Sequence, residues 1–310
     1  MTQSTEAVPS KSGGISTTGV ARTLPSPAAA SRRRPSFGLD ALALLVSVVI
    51  AFPLYWMLLS ALKPTTALNS GDASLITLSP TLDAFKRVLT VGSFGRYFVN
   101  SLVVAGLVVI LSTACAFLAA VALTRYRFKL RTTVLLAVLV AQMVPLEGLA
   151  IPMFFLFRNI GGSVPIIGLN QLGSLVLVHI TFSIPFAVWM LRGFVAAVPD
   201  ELEESARLDG AGSWRFVRSV LFPLVAPGLV AVSVFSFIST WNDFLFAQTF
   251  IISAQENQTL PIAILRFFKP DQNDWGGIMA GSIIMTIPVL VFFMAVQRHL
   301  VAGLAGAVKG

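Results

Sequence analysis

The sequence predicts an all-α membrane protein with six transmembrane helices. Three observations carry that reading. The 310-residue chain is 55% apolar and only 12% charged, with a mean hydropathy of +0.82. An average soluble domain carries about 25% charged residues, and half that charge cannot cover the water-facing surface of a chain this long. Six separate stretches reach the roughly 20 apolar residues needed to cross a hydrocarbon core. Lys and Arg are also unequally divided among the connections between those stretches.

Residues 1–36 are rich in Ser, Thr, Ala, Pro and Gly and lack apolar periodicity, so they read as a disordered cytoplasmic tail. Residues 37–310 read as one membrane domain. Arg32-Arg33-Arg34 precedes the first apolar stretch, 40–62. That stretch is too long for a signal-peptide core, and Lys63-Pro64 follows it where a cleavage site would need small residues. Composition also allows an organelle transit peptide; a retained first helix is the better reading. The other spans are expected near 97–123, 132–157, 172–194, 224–252 and 277–299. Pro53, Pro145, Pro152, Pro185 and Pro288 fall inside spans. Membrane helices accept proline where neighbours or a water-lined cavity satisfy the freed carbonyl.

An even number of crossings puts both termini on one side. That side holds 15 of the 22 Lys and Arg residues, and the other holds 7. The 124–131 connection alone contributes Arg125, Arg127, Lys129 and Arg131 with no acid. Both termini are therefore expected in the cytoplasm. The net charge of +8 is read as orientation, and no nucleic-acid partner is expected.

The single cysteine, Cys115, excludes an internal disulfide and a multi-cysteine metal site. No G-x-x-x-x-G-K-[ST], H-E-x-x-H or G-x-S-x-G pattern occurs, and the two histidines, His179 and His299, are far apart in sequence. No catalytic constellation is visible. Uphill transport would draw its energy from a partner or from an ion gradient.

One connection, 199–223, collects five of the 14 acids: Asp200, Glu201, Glu203, Glu204 and Asp209. Asp200 is placed to cap a helix whose first turn carries Glu201, Glu203 and Glu204, where the positive helix end favours anions. Gly210 supplies a stop or sharp bend. A second amphipathic helix is expected after it, with Trp214, Val217, Val220 and Leu221 on one side, and Pro223 at its junction with the next span. On composition alone, a plain surface linker is an equal reading.

The spacing separates the two readings. Glu204-Ser205-Ala206, three residues, Gly210, nine residues, Val220, then Phe222-Pro223 resembles the EAA motif of bacterial ABC importer permeases, E-A-A-x(3)-G-x(9)-I-x-L-P. Asp209-Gly210-Ala211 resembles the sugar-importer version. Asn100-Ser101, Met143-Val144-Pro145, Trp241-Asn242-Asp243 and the ending 303–310 are similar to the maltose-type second permease. The likeness covers residues 40–310. It implies a type I permease fold that pairs as a heterodimer with a second permease subunit. It also implies two copies of a cytoplasmic ATPase, which bind the ATP and Mg, and an extracytoplasmic sugar-binding protein; no cofactor is expected in this chain. Glu204, Ser205, Ala206, Asp209, Gly210 and Ala211 would form the helix that couples to the ATPase. The C-terminal residues 303–310 would reach towards the ATPase pair. The polar connection 253–276, with Asn257, Gln258, Gln272 and Asn273, would probe the binding protein.

Two acids lie within apolar spans. Glu147 is about 15 residues, or roughly 22 Å, into the third, and Asp243 about 19 residues, or roughly 28 Å, into the fifth. An intramembrane carboxylate costs of the order of 3 kcal/mol and is by default a functional candidate. Glu147, Gln142, Asn242 and Asp243, with the Trp241 ring nearby, have the acceptors and aromatic face that a sugar site uses. Structural readings stand beside these: Asp243 hydrated near the outer interface, Asn242 bridging helices, His179 packed or bridging. The competing function is a stand-alone proton-coupled secondary transporter using Glu147, Asp243 or His179. An intramembrane enzyme lacks the necessary motif.

Overall fold

The structure is a computed structural model, and it describes residues 37–90, 93–161 and 164–307. The predicted disordered tail 1–36 and the last three residues lie outside the described residues. The helices are α1 (Phe37–Leu62), α2 (Thr65–Asn69), α3 (Asp83–Thr90), α4 (Phe94–Arg125), α5 (Arg131–Ala141), α6 (Ala150–Ile160), α7 (Leu172–Ala196), α8 (Asp200–Leu208), α9 (Ser213–Phe216), α10 (Phe222–Leu224), α11 (Ala226–Trp241), α12 (Leu245–Phe250), α13 (Leu260–Ile264) and α14 (Trp275–Ala307). There is no strand among the described residues. The chain divides within α1 into two compact units, Met1–Ala51 and Phe52–Gly310. The described part of the first is the helical stretch 37–51, and both candidate sites lie in the second.

Four helices, α1, α4, α7 and α14, are long and apolar enough to cross a membrane singly. The stretch Ser213–Leu224 plus α11 makes a fifth if that pair, bent by 73°, is one span. The predicted third span, 132–157, is not one helix. It consists of α5 and α6, each 11 residues or about 16 Å, roughly half the hydrocarbon thickness. Residues 142–149 interrupt it, where Pro145 cannot donate and Gly148 weakens helical order. Pro152 is accommodated because it falls in the first turn of α6, where backbone N–H groups have no helical partner anyway. The predicted fifth span, 224–252, is likewise divided, into α11 and α12 at Asn242–Phe244.

α4 is the central element. Its buried face runs Ser101, Ala105, Val108, Ser112, Ala116, Ala120, mostly small side chains three or four residues apart. In lipid the hydrophobic effect does not drive helices together, so close approach and van der Waals contact must do so. α7 and α11 pack on this stripe, contributing Ala187, Leu191, Val195, Leu229 and Val232. The opposite face of α4 exposes Val103, Leu107, Ile110, Leu111 and Leu118, as a lipid-facing surface requires.

The connection 253–276 is less open than its polar sequence implies. It folds into α13 and two 3₁₀ turns, Gln255–Asn257 and Leu265–Phe267, and buries Leu260, Ile262, Ala263 and Phe267. α2 and α3 have no counterpart in the sequence reading, because five- and eight-residue helices give too short a periodic signal.

Candidate functional site

The motif-bearing connection forms α8, a turn at Gly210, and then α9. The turn explains the glycine. Gly210 adopts φ +78°, a left-handed conformation. Its N–H donates to the Arg207 carbonyl at 3.0 Å, and the Ala211 N–H reaches back to the Ala206 carbonyl at 2.9 Å. This pair of bonds is a Schellman cap, closing two carbonyls that the helix end would leave open. No atom lies within 4 Å of where a Gly210 Cβ would sit, so the requirement is conformational and not steric.

Asp200 does not cap α8 as expected. Pro199 holds the cap position and Asp200 is the first helical residue. Its carboxylate instead accepts a hydrogen bond from the Arg125 guanidinium at the end of α4. Arg125, counted above only as an orientation charge, is 6% exposed. Its other arm donates to the carbonyls of Val195 (3.1 Å) and Val198 (2.6 Å) at the end of α7. One buried side chain thus fastens α4, α7 and α8 together.

On α8, Glu204, Ser205 and Asp209 are exposed, Ala206 is half-buried, and Leu208 is 89% exposed. Ala211, just past the turn, is half-buried. The expected second amphipathic helix differs from the prediction. Its middle, Val217–Leu221, is wound as a π-turn just ahead of Pro223, which has no N–H for the Ser219 carbonyl. The inward face is Phe216, Val217 and Leu221, while Trp214 points out.

The second constellation is a cavity of about 730 Å³ between the broken third span, α7 and the α11–α12 junction. Gln142, Glu147, His179, Ser183, Ser239, Asn242 and Asp243 supply its polar lining, and Phe182, Phe186, Phe235, Phe244 and Phe246 its aromatic one. The Glu147 carboxylate is exposed there and has no hydrogen-bond or ion-pair partner among the described residues. Gln142 approaches the Pro185 carbonyl at 3.5 Å.

Asp243 is largely occupied. Its two oxygens accept the N–H groups of Phe246 (3.2 Å) and Ala247 (3.0 Å), capping α12. One oxygen also lies 3.3 Å from His179 Nε2 on α7. Asn242 does not bridge helices: its amide donates to the Ile238 carbonyl of its own helix at 3.0 Å. Trp241 is not brought to the cavity. It is 1% exposed, stacks on Phe237, and donates from Nε1 to the Met285 carbonyl at 3.0 Å.

Two asparagines organise the far end of the molecule. Asn100 Nδ2 donates to the carbonyls of Glu256 (2.8 Å) and Gln258 (2.9 Å), and Ser101 Oγ accepts the Leu260 N–H at 2.8 Å. Asn170, at φ 65°, accepts the N–H groups of Ile252, Ser253 and Ala254 on Oδ1, and its carbonyl accepts Asn257 Nδ2. Asn170 lay unremarked in the sequence because an isolated Asn between spans carries no periodic signal. Arg87 on α3 binds Asp274 through two bonds of 3.0 and 2.9 Å. Burial pushes the Asp274 carboxyl upward, but Arg87 and the Gly277 N–H outweigh it and hold it below its ordinary value.

The sequence profile of a family described as "Binding-protein-dependent transport system inner membrane component" matches residues 112–306. The chain is 38% identical over 269 residues to the diacetylchitobiose uptake system permease protein DasC of Streptomyces coelicolor, covering 86% of this chain and 95% of that one. It is 33% identical over 274 residues to the trehalose transport system permease protein SugB of Mycobacterium tuberculosis, covering 86% and 97%. Its fold is similar to a chain in the crystal structure of a bacterial ABC transporter that imports the acidic polysaccharide alginate. There the TM-score is 0.70 at 19% identity, over 84% of this chain and 95% of that one.

Proposed function

The chain belongs to the family of binding-protein-dependent inner-membrane transport components, and from that premise we propose how it works in sugar import. It is a multi-pass permease subunit and not an enzyme. In this reading it supplies half of a translocation path, pairs with a second permease subunit, and receives a saccharide from an extracytoplasmic binding protein. Two copies of a cytoplasmic ATPase, which hold the ATP and Mg, drive the cycle. Both termini and α8 face the cytoplasm. The relatives named for diacetylchitobiose and trehalose support a short saccharide as cargo.

The observation that carries the mechanism is the Arg125 junction. A helix can transmit motion only if it is fixed to what must move. α8 is fixed to the ends of α4 and α7 by one buried guanidinium. Its free surface, with Glu204, Ser205, Asp209 and Leu208, is left to meet the ATPase, and Ala206, Gly210 and Ala211 build its capped end. A shift of α8 then displaces α7, which lines the cavity holding Glu147, together with α4, which packs against α7. In that cavity Glu147, Gln142 and Asn242 offer acceptors to sugar hydroxyls, and the phenylalanines offer apolar ring faces. Asp243 and His179 position the wall, and Trp241 supports it from the core.

Family membership weighs against a stand-alone proton-coupled transporter. The test is uptake of a labelled saccharide panel by the reconstituted complex, with and without the ATPase. Glu204→Lys is expected to abolish uptake and ATPase capture while leaving membrane insertion intact. Uptake without the ATPase, or wild-type uptake in the variant, overturns the coupling role.

A further inference from the structure

The chain between α1 and α3 turns back along the helix it has just left. Lys63 follows the last residue of α1, and its side chain is buried. Helical side chains lean towards the helix N-terminus. Lys63 Nζ accordingly meets the carbonyls of Asp72 (2.7 Å) and Ser74 (2.8 Å) beside the helix and not beyond its end. The Tyr55 hydroxyl then donates to the Leu75 carbonyl. Tyr55 precedes Leu62 by seven residues, which places it about 10 Å back along the axis. The chain next returns to the helix end, where the Thr81 N–H donates to the Leu62 carbonyl at 2.8 Å.

This excursion reaches membrane depth. The 26 residues of α1 span about 39 Å against a hydrocarbon core of about 30 Å. With the excess shared between the two ends, Tyr55 lies roughly 5 Å inside the hydrocarbon. Two features of the segment fit such a place. No charged residue occurs between Asp72 and Asp83, and Ile76 and Leu78 are 71% and 99% exposed. Side-chain donors satisfy the carbonyls of Asp72, Ser74, Leu75 and, through Ser74 Oγ, Ile76 where the chain lies beside α1, and the backbone of 77–80 is left to the hydrated interfacial layer. A backbone entering a region poor in water must be satisfied in this way. Leu54, Tyr55 and Leu58 on α1 are exposed beside it, so the apolar loop continues the surface of a membrane span.

We propose that residues 74–80 form a re-entrant loop immersed in the interfacial layer of the bilayer, with Ile76 and Leu78 among the lipid acyl chains. The occupant of this surface is lipid. The test places a single cysteine at position 78 or 86 (Leu78→Cys, Lys86→Cys) in a Cys115→Ser background. Each is labelled with an environment-sensitive fluorophore in the complete transporter, reconstituted in phosphatidylethanolamine–phosphatidylglycerol vesicles. The label at 78 is expected to emit to the blue of the label at 86, to be quenched by spin-labelled acyl chains, and to resist aqueous iodide. Equal iodide quenching at both sites, without lipid quenching, overturns the proposal. Shielding at 78 that appears only when the second permease or the binding protein is added also overturns it, in favour of a protein contact. Ile76→Asp serves as a second reading and is expected to reduce lipid quenching at 78; unchanged lipid quenching overturns the proposal.

Discussion

Arg125 and Asp200 join the end of a membrane span to the first turn of α8, and the two partners are unequal. Asp200 is exposed, so Asp200→Ala is expected to cost at most about 1 kcal/mol. Arg125 is buried and also closes two carbonyls of α7. Arg125→Ala is expected to cost about 3 kcal/mol, at roughly 1.5–3 kcal/mol per charge-assisted bond. Arg125→Lys keeps the charge but not the fork, and is expected to fall between them. Thermal melting of the purified protein in detergent checks the order.

Gly210 is held by its φ and not by its neighbours. Gly210→Ala is expected to destabilise the turn by about 1–2 kcal/mol, and Gly210→Asn by less. Gly210→Pro removes the N–H that bonds Arg207 and is expected to abolish uptake. Equal uptake by all three variants and wild type, at equal abundance, would remove the cap from the account.

The cavity residues separate into those that hold the wall and those free to meet a ligand. Glu147→Gln is expected to change the KM or the substrate preference of uptake at unchanged membrane abundance. Asp243→Ala orphans the Phe246 and Ala247 N–H groups and is expected to lower abundance, at about 1–3 kcal/mol per buried donor. Trp241→Phe loses one bond worth about 1 kcal/mol and is expected to leave uptake per folded molecule unchanged. Immunoblots paired with uptake kinetics distinguish the three.

Asn170 acts through both backbone and side chain. Asn170→Gly keeps the left-handed conformation and loses the side-chain acceptor, whereas Asn170→Ala loses both. Hydrogen exchange at residues 252–254 is expected to rise in both variants, and more in Asn170→Ala.

Acid is expected to release α3 from the start of α14. The Asp274 carboxyl titrates below its ordinary 3.8 in the folded protein. Its contribution is therefore fully present above that value, and is lost as pH falls below it towards the lowered one. Exchange at the α3 amides should rise in that acid range. In Asp274→Asn the exchange should already be raised at neutral pH and should lose this acid-dependent step.

Much of the molecule was legible in order. Long apolar runs located α1, α4, α7 and α14, because a hydrocarbon core demands that length. The spacing Glu204, Gly210, Pro223 located α8 and its turn before any coordinates. The breaks were legible only in part: Pro145 stood out inside the third span, but not that α5 and α6 would each be half a span.

By itself the sequence determined that this chain lives in a membrane, which connection carries its motif, and the family it belongs to. Those follow from composition and spacing, which are properties of the chain read along its length. Tertiary structure alone decided the use of each polar side chain. Arg125 became a three-way fastener, Asp243 a helix cap, Trp241 a core residue, and Glu147 the carboxylate left open to the cavity. The reason is physical. A buried polar group must be satisfied by whatever the fold brings within hydrogen-bond reach, and those partners lie 44 residues away for Trp241 and 70 to 75 for Arg125.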